Sequence, residues 1–407
     1  MSRAETFRIA VRKFGPFESA VQKIWAAFEQ RHAPGLRLEF VPMDLEPLHE
    51  ALFESGGLNN GDWDVTQIIT DWLAEAYERG ALENLKPYLE RNPPEDYPDG
   101  WVPSLLGLQD FGDAIIGLPY HDGPEMLIWR RDLFEDPVEQ EAFRARYGRQ
   151  LRVPETWEEF LDAARFFHRP ERNLYGTVFA AYPDGHNTVY DFALQTWTHG
   201  GELADASGRV VLDSAAARRG MEFYRSMLKD ASAVHPRCRD FDSVKSGLAF
   251  AAGEVALMVN WFGFAAMCEF IAESKVKGKV DIAPVPHAPG APLVSLNCYW
   301  LYGIAAGSPH KDVAWEFLRF AVSRESDLVL TREGGIGCRK STWRDEEINR
   351  SVPYYRRLEE VHRYARTLPR RSDWAHVAHV IDQVVLETIN TDRPVEEILR
   401  EGQARLD

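Results

Sequence analysis

FRIAVRKFGPFESAVQKIWAAFEQRHAPGLRLEFV, residues 7–41, holds two strand patterns with one helix pattern between them. Phe7 to Arg12 and Leu36 to Val41 read as strands. Between them, Glu18 to Arg31 sets Ala20, Ile24, Ala27 and Phe28 on one face, at the three- and four-residue spacing of a helix. Working outward, Leu45 to Phe53 reads as a second helix, Val65 to Ile69 as a third strand and Trp72 to Arg79 as a third helix. Strands alternating with helices across short links predict a parallel sheet covered by helices. Ligands of such sheets lie beyond the carboxyl ends of the strands. That marks three loops in advance: Lys13 to Glu18, Pro42 to Asp44, and Thr70 to Trp72.

The pattern continues beyond a Pro-rich loop from Asn92 to Pro103. Ala114 to Leu118 and Met126 to Trp129 read as strands, and the Pro- and Gly-bounded link from Pro119 to Pro124 as a crossing between lobes. Thr156 opens a helix through Phe167, with Glu159 placed to complete a capping box. Gly176 to Ala181 is a strand, and Thr188 to His199 a helix stopped by Gly200-Gly201. Helices follow from Ser214 to Lys229 and from Phe241 to Ala251, and strands at Val280 to Ala283 and Tyr299 to Ala305. After Lys311 the periodicity is almost wholly helical. A chain of 407 residues exceeds what one core usually supports. The expected organisation is a first lobe over residues 1–117, a second over 118–260, a return to the first over 261–311, and second-lobe and hinge-packing helices over 312–407.

Composition narrows the function. Apolar residues make up 45%, and 47 basic against 63 acidic side chains leave a net charge of −16. Such a surface repels phosphate backbones and anionic lipid, so no nucleic-acid partner is expected. No apolar run reaches the ~18 residues of a membrane span. The opening residues show no positive start followed by an apolar core, so no export signal is expected within this chain. The Gly-x-Ser-x-Gly elbow, His-Glu-x-x-His and the phosphate loop are all absent. The run from Glu333 to Lys340 resembles a dinucleotide loop but lacks its third glycine and reads as a turn. His376 and His379 share a helix without an obvious third ligand, so neither a metal nor a cofactor is expected. Cys238, Cys268, Cys298 and Cys338 stand far apart, without the spacing of a zinc knuckle or redox pair, and buried thiols are the default.

Several segments, in order along the chain, resemble the bacterial extracellular solute-binding proteins, the sugar-binding group that includes maltose-binding protein. Gly80-Ala-Leu-Glu-Asn-Leu85 after Asp64 resembles that family's turn past the third strand. Gly117-Leu-Pro-Tyr120 before Ile128-Trp-Arg-Arg-Asp-Leu-Phe134, and Val153-Pro-Glu-Thr-Trp-Glu-Glu-Phe160, resemble further family segments. So do Gly253-Glu-Val-Ala-Leu-Met-Val-Asn-Trp-Phe262 and the helix entry from Ile304 to Phe320. Gly334 to Ser341 is similar to a family loop, with Cys338 where proline usually stands. The resemblance implies an α/β fold of two Rossmann-like lobes joined by a multi-strand hinge, the type II periplasmic-binding-protein class. It implies capture of a sugar or polyol for the membrane subunits of an ABC importer, by a monomer and without catalysis. It implies a periplasmic or cell-surface location, against which the lack of a signal is a departure.

A sugar offers an apolar face and a hydroxyl rim, so its site combines flat aromatic walls with a few fixed polar groups. The resemblance puts Trp261 and Phe262 at the cleft as stacking residues; packing at the hinge is the competing role. Lys13, Phe14 and Glu18 follow the first strand, with an ion pair and helix cap as the alternative. Asp71 and Trp72 follow the third strand, where Asp71 also suits an N-cap. His121 and Asp122 lie in the first crossing, where a plain turn is the alternative. Asn187 and Tyr190 open a second-lobe helix that faces the cleft in the family, with capping by Asn187 as the rival. Asn297 and Trp300 precede the strand that leads out of the cleft. The resemblance puts Cys298 and Cys338 in cleft-side segments, which makes them the pair to test for a disulfide. Arg339 could clamp an acid or vicinal hydroxyls, or stabilise a helix end. Trp374 would close the far wall or pack between lobes. The Arg-rich span from Arg344 to Arg371 is a solvated face or a docking surface for transporter subunits. A hydrolase with a carboxylate pair and a cytoplasmic sensing module are the rival functions.

Overall fold

The computed structural model describes residues 5–407; residues 1–4, with which the first expected segment begins, lie outside the described residues. The strands are β1 (Thr6–Arg12), β2 (Arg37–Met43), β3 (Val65–Ile69), β4 (Leu118–His121), β5 (Glu125–Arg130), β6 (Tyr175–Val178), β7 (Val255–Trp261), β8 (Val280–Ala283), β9 (Ser295–Leu296), β10 (Trp300–Ile304) and β11 (Ala365–Arg366). The chain divides into two compact units. Unit 1 comprises residues 1–123, 298–362 and 370–374; unit 2 comprises 124–297, 363–369 and 375–407.

Unit 1 is built on a five-stranded sheet in the order β2-β1-β3-β10-β4. β1 runs parallel to β2, with Phe7 opposite Leu38, and to β3, with Ile9 opposite Val65. The first three strands are therefore parallel, as the alternation predicts. β10 runs antiparallel to both β3 and β4, which makes the sheet mixed rather than parallel. The helix Gly15–His32 starts with Pro at its first turn and buries Phe17, Ala20, Val21, Ile24, Trp25 and Phe28 along one stripe. Phe317, on the helix Lys311–Ala321, packs its ring against Phe7, Trp25, Phe28 and Tyr302.

Unit 2 carries a four-stranded sheet, β6-β7-β5-β8, in which β5 is antiparallel to both β7 and β8 while β6 is parallel to β7. The expected capping box forms: Thr156 accepts from Glu159 N, and the Glu159 carboxylate accepts from Thr156 N. The helix that follows, Trp157–Phe167, lies so close to β6 that a Cβ on Gly176 would stand 1.9 Å from the Ala164 carbonyl oxygen. Only glycine fits there.

The expected segment boundaries differ from these units over residues 118–123, 261–297, 312–362 and 370–374, and pairing or packing explains the first three. Residues 118–121 form β4 and pair with β10, so the chain leaves unit 1 only after Gly123. The residues after Trp261 run through the helix Phe262–Phe270 to β8, which pairs with β5, so 262–297 stay in unit 2. Residues 312–362 belong to unit 1, because the helix carrying Phe317 covers β1 and the first helix.

All four cysteines are buried, and no disulfide forms among the described residues, so the Cys298–Cys338 pairing is not made. The Cys298 thiol instead donates to Asp71 Oδ1 at 3.4 Å. Burial pushes the Cys238 thiol up to about 12 and Cys338 well above its ordinary value, which suppresses thiolate. Thiol titration should find all four unreactive in the native protein and reactive after denaturation without reductant. Fewer than four on denaturation would mean a bond has formed.

Candidate functional site

In unit 1, the carboxyl ends of β1, β3 and β4 and the amino end of β10 meet at one edge of the sheet, because Trp300 pairs with both Ile69 and His121. This brings Lys13, Phe14, Asp71, Trp72, His121 and Trp300 to one end. Phe17 links them: its ring meets Phe14 at 5.1 Å, His121 at 4.6 Å and Trp300 at 6.0 Å, and Trp300 meets Trp72 at 6.4 Å. All these contacts are edge-on, the favoured geometry of aromatic quadrupoles. His121 Nδ1 accepts the Ile336 N–H at 2.9 Å, which puts the ring proton of the neutral imidazole on Nε2. Burial lowers its pKa to about 3, against the opposing pull of Asp122, so the ring stays neutral.

Other expected residues of unit 1 are engaged elsewhere. Lys13 is exposed and pairs with Asp44 at 3.3 Å, the ion-pair alternative. Glu18 sits in the first turn of its helix, where a carboxylate complements the helix dipole. Asp122 is fully buried: Oδ2 meets His362 Nε2 at 2.9 Å and Oδ1 accepts Gly123 N–H. It holds the turn after β4 and has no surface to offer a ligand. Arg339 is 1% exposed. Its guanidinium donates to the carbonyls of Val322 and Glu95 and to Asp96, and stacks on Trp101. Val322 caps the helix Lys311–Ala321, so the helix-end role is the one adopted and the clamp is not. Trp374 is buried at the start of the helix Trp374–Asn390.

In unit 2, the corresponding edge lies at the carboxyl ends of β6 and β7 and the amino end of β5. Trp261 ends β7 opposite Glu125, the first residue of β5, so both side chains rise from one face. Trp261 remains part-exposed. Its ring is held edge-on by Tyr190 at 5.2 Å and 87°. Asn260 fixes the turn: its amide donates to Ser243 O and Ser246 Oγ, and its Oδ1 accepts Trp261 N–H. Phe262, one residue on, opens a helix and is wholly buried, so it has no face for stacking. The strand-to-helix turn sends the two adjacent rings in different directions.

Tyr190 stands in the first turn of the helix Asn187–Thr198. Asp184, not Asn187, caps that helix by accepting from the backbone of His186 and Asn187, and the Asn187 amide donates to the same carboxylate. Asn297, bridged to Pro124, is 1% exposed, and both atoms of its side-chain amide are buried without a partner. Glu125 Oε2 is likewise buried and unpartnered. Burial, reinforced by the charge of Asp191, holds the Glu125 carboxyl well above the usual range. Asp191 is itself raised to about 7 by burial, opposed by the hydroxyl of Tyr224 and assisted by Asp184. Buried polar atoms in native proteins nearly always find partners, so unpartnered atoms together beside a part-exposed indole mark a place where a solute can supply them.

Glu125 and Asp191 were not among the residues expected from sequence. The available signal was a charge at the head of the apolar run Met126 to Trp129, and another inside the apolar face of the helix from Asn187.

Comparison with known proteins agrees with this architecture. The family profile described as bacterial extracellular solute-binding protein matches residues 14–327. A probable ABC transporter-binding protein of Deinococcus radiodurans is 20% identical over 366 residues, 88% of this chain and 82% of that one. Among solved structures, maltose-bound MalE3 of T. maritima superposes with a TM-score of 0.85 at 22% identity, covering 98% of each chain. A ribitol complex of an ABC transporter solute-binding protein from Agrobacterium radiobacter K84 gives 0.85 at 22%, covering 98% of this chain and 97% of that one. A Thermotoga lettingae protein bound to α-D-tagatose gives 0.83 at 18%, covering 99% and 98%. The fold is the two-lobed α/β class of maltose-binding-like proteins, and this chain belongs to the bacterial extracellular solute-binding proteins.

Proposed function

We propose that the chain captures a carbohydrate or related polyol and delivers it to an ABC importer, as a monomer, from the periplasm or cell surface and without altering the solute. The observation that carries this is the unit-2 edge: a part-exposed indole braced by Tyr190, beside an unpartnered buried amide and a carboxyl with one unpartnered oxygen. The indole suits a sugar's C–H face, and the amide and carboxyl suit its hydroxyl rim. At the unit-1 edge the His121 Nε2–H is a neutral donor, and Trp72 and Trp300 supply apolar wall. Relatives solved with maltose, ribitol, tagatose and mannitol support this solute class. Capture and release need only reversible binding, and no covalent chemistry is required.

Titration calorimetry of a sugar and polyol panel tests the reading. Trp261→Ala should weaken the best binder about 10- to 100-fold, roughly 1.4–2.7 kcal/mol. Unchanged affinity in a folded Trp261→Ala protein would remove the indole from the site. Cleavage of any glycan in the panel would replace the binding reading with the hydrolase.

A further inference from the structure

At the unit-2 edge, three acids adjoin, and His186 beside Asp184 turns its ring Nδ1 to the Asp184 backbone carbonyl rather than to a carboxylate. Glu125 stands across from Trp261 in register; Asp191 follows Tyr190, the residue that braces Trp261; Asp184 caps the same helix. Among the described residues, none of the three forms an ion pair with a lysine, arginine or histidine. The hydrogen bonds they do make leave the deficit in place: Tyr224 donates to Asp191, and Asp184 serves the helix terminus. Nearby, a fourth carboxylate, Asp382, accepts from Thr188 of that helix; burial raises it, and His379 and His186 oppose the rise. Acids are rarely gathered in a desolvated place without an ion pair to each, because each resists the ionisation of the next.

A second feature points independently to an occupant. Asn297 is 1% exposed with its carbonyl oxygen and its amide nitrogen both unpartnered, and its bridge to Pro124 sets it beside the start of β5. The part-exposed indole adds a π-face. A carboxylate with an open oxygen, an amide acceptor and an indole face are together the recognition elements of an ammonium group, which brings three donors and the missing charge. Arg339, expected to clamp an acid, is instead engaged with Val322, Glu95 and Asp96.

We infer that the solute is an amine-bearing carbohydrate, its ammonium group received by Glu125 with Asp191 behind it and Trp261 alongside. This rests on the carbohydrate reading above and narrows it. It also assigns a purpose to Glu125: a specificity residue that separates amino sugars from their neutral counterparts.

The test is calorimetry at neutral pH with matched pairs: glucose and glucosamine, galactose and galactosamine, cellobiose and fully deacetylated chitobiose. N-acetylglucosamine and glucuronate complete the set. In at least one pair the amino member should bind ten-fold or more tightly than the neutral one, acetylation should abolish the gain, and glucuronate should be weakest. Glu125→Gln should reduce the amino member's affinity ten-fold or more beyond whatever loss the neutral member shows, so that the preference between the two members of the pair collapses. Asp191→Asn serves as a second variant should Glu125→Gln fold poorly, with a smaller loss in the same direction. Neutral members binding as tightly as amino members in every pair, or an amine preference that survives both variants, overturns the inference and leaves the carbohydrate reading intact. No binding by any sugar in the set overturns both.

Discussion

Arg339→Ala should destabilise unit 1 by about 3–5 kcal/mol and leave solute affinity within two-fold of the parent. The guanidinium is buried, and three of its hydrogen bonds tie two stretches far apart in sequence: Val322 O at 2.9 Å in one, Glu95 O at 2.9 Å and Asp96 at 3.0 Å in the other. It also stacks 4.4 Å from the Trp101 ring centroid. Its backbone N–H meets Asp327, whose carboxylate also receives the Cys338 N–H. Truncation orphans two carbonyls and removes the platform beneath Trp101, losses of about 1–3 kcal/mol per buried group. Lysine would not rescue it, since one ammonium cannot span the Val322 and Glu95 carbonyls in the planar geometry they share. Urea unfolding followed by tryptophan fluorescence measures the first effect and calorimetry the second. A large affinity loss with unchanged stability would return Arg339 to the binding site.

That residue shows where sequence stops being informative. A lone arginine in a glycine-rich loop suits an acid clamp and a helix-end tie equally, and only the position of the Val322 carbonyl decides between them. The same holds for strand partners. The alternation over the first eighty residues was legible because each strand and helix there is set by its own periodicity. The reversal of β10 was not, because nothing local in Trp300–Ile304 records the direction of the strand beside it. Pro119 disguised β4 as a link, and the helix around Phe317 showed its apolar face but not which sheet that face would cover. In the candidate site, Trp261 and Tyr190 were legible as aromatics at element ends. Phe262 was misjudged because the backbone changes from strand to helix between two adjacent rings. Glu125 and Asp191 were passed over because a charge in an apolar run gains meaning only when its neighbours prove to be other acids.

Those two acids contribute a share of the protein's pH dependence, beside groups such as Asp327, Glu269 and His121, and Asp191→Asn should expose that share. Asp191 titrates at about 7 in the folded protein, against an ordinary 3.8, chiefly because burial disfavours its charged form. The folded state thus holds this proton more tightly than the unfolded chain does. Stability from this group is full below the unfolded pKa and is lost as pH rises through about 7. A shift of roughly three units corresponds to about 4 kcal/mol between acid and mildly alkaline solution. Glu125 acts in the same sense, since its pKa is also raised and Asp191 contributes to that rise. Asparagine keeps an oxygen to accept from Tyr224 and cannot ionise, so the variant should be more stable than the parent at about pH 8 and nearly equal to it at about pH 4. It also removes a charge that opposes ionisation of Glu125, which should flatten the remaining slope further. Urea midpoints across that range, without solute, should fall steeply for the parent and shallowly for Asp191→Asn. Parallel curves would show that Asp191 is ionised at ordinary cost in the folded protein, and with that the crowding of acids beside Trp261 would lose its energetic meaning. An amine-bearing solute should oppose the parent's decline, because an ammonium ion beside the two carboxylates lowers both pKa values toward their unfolded range.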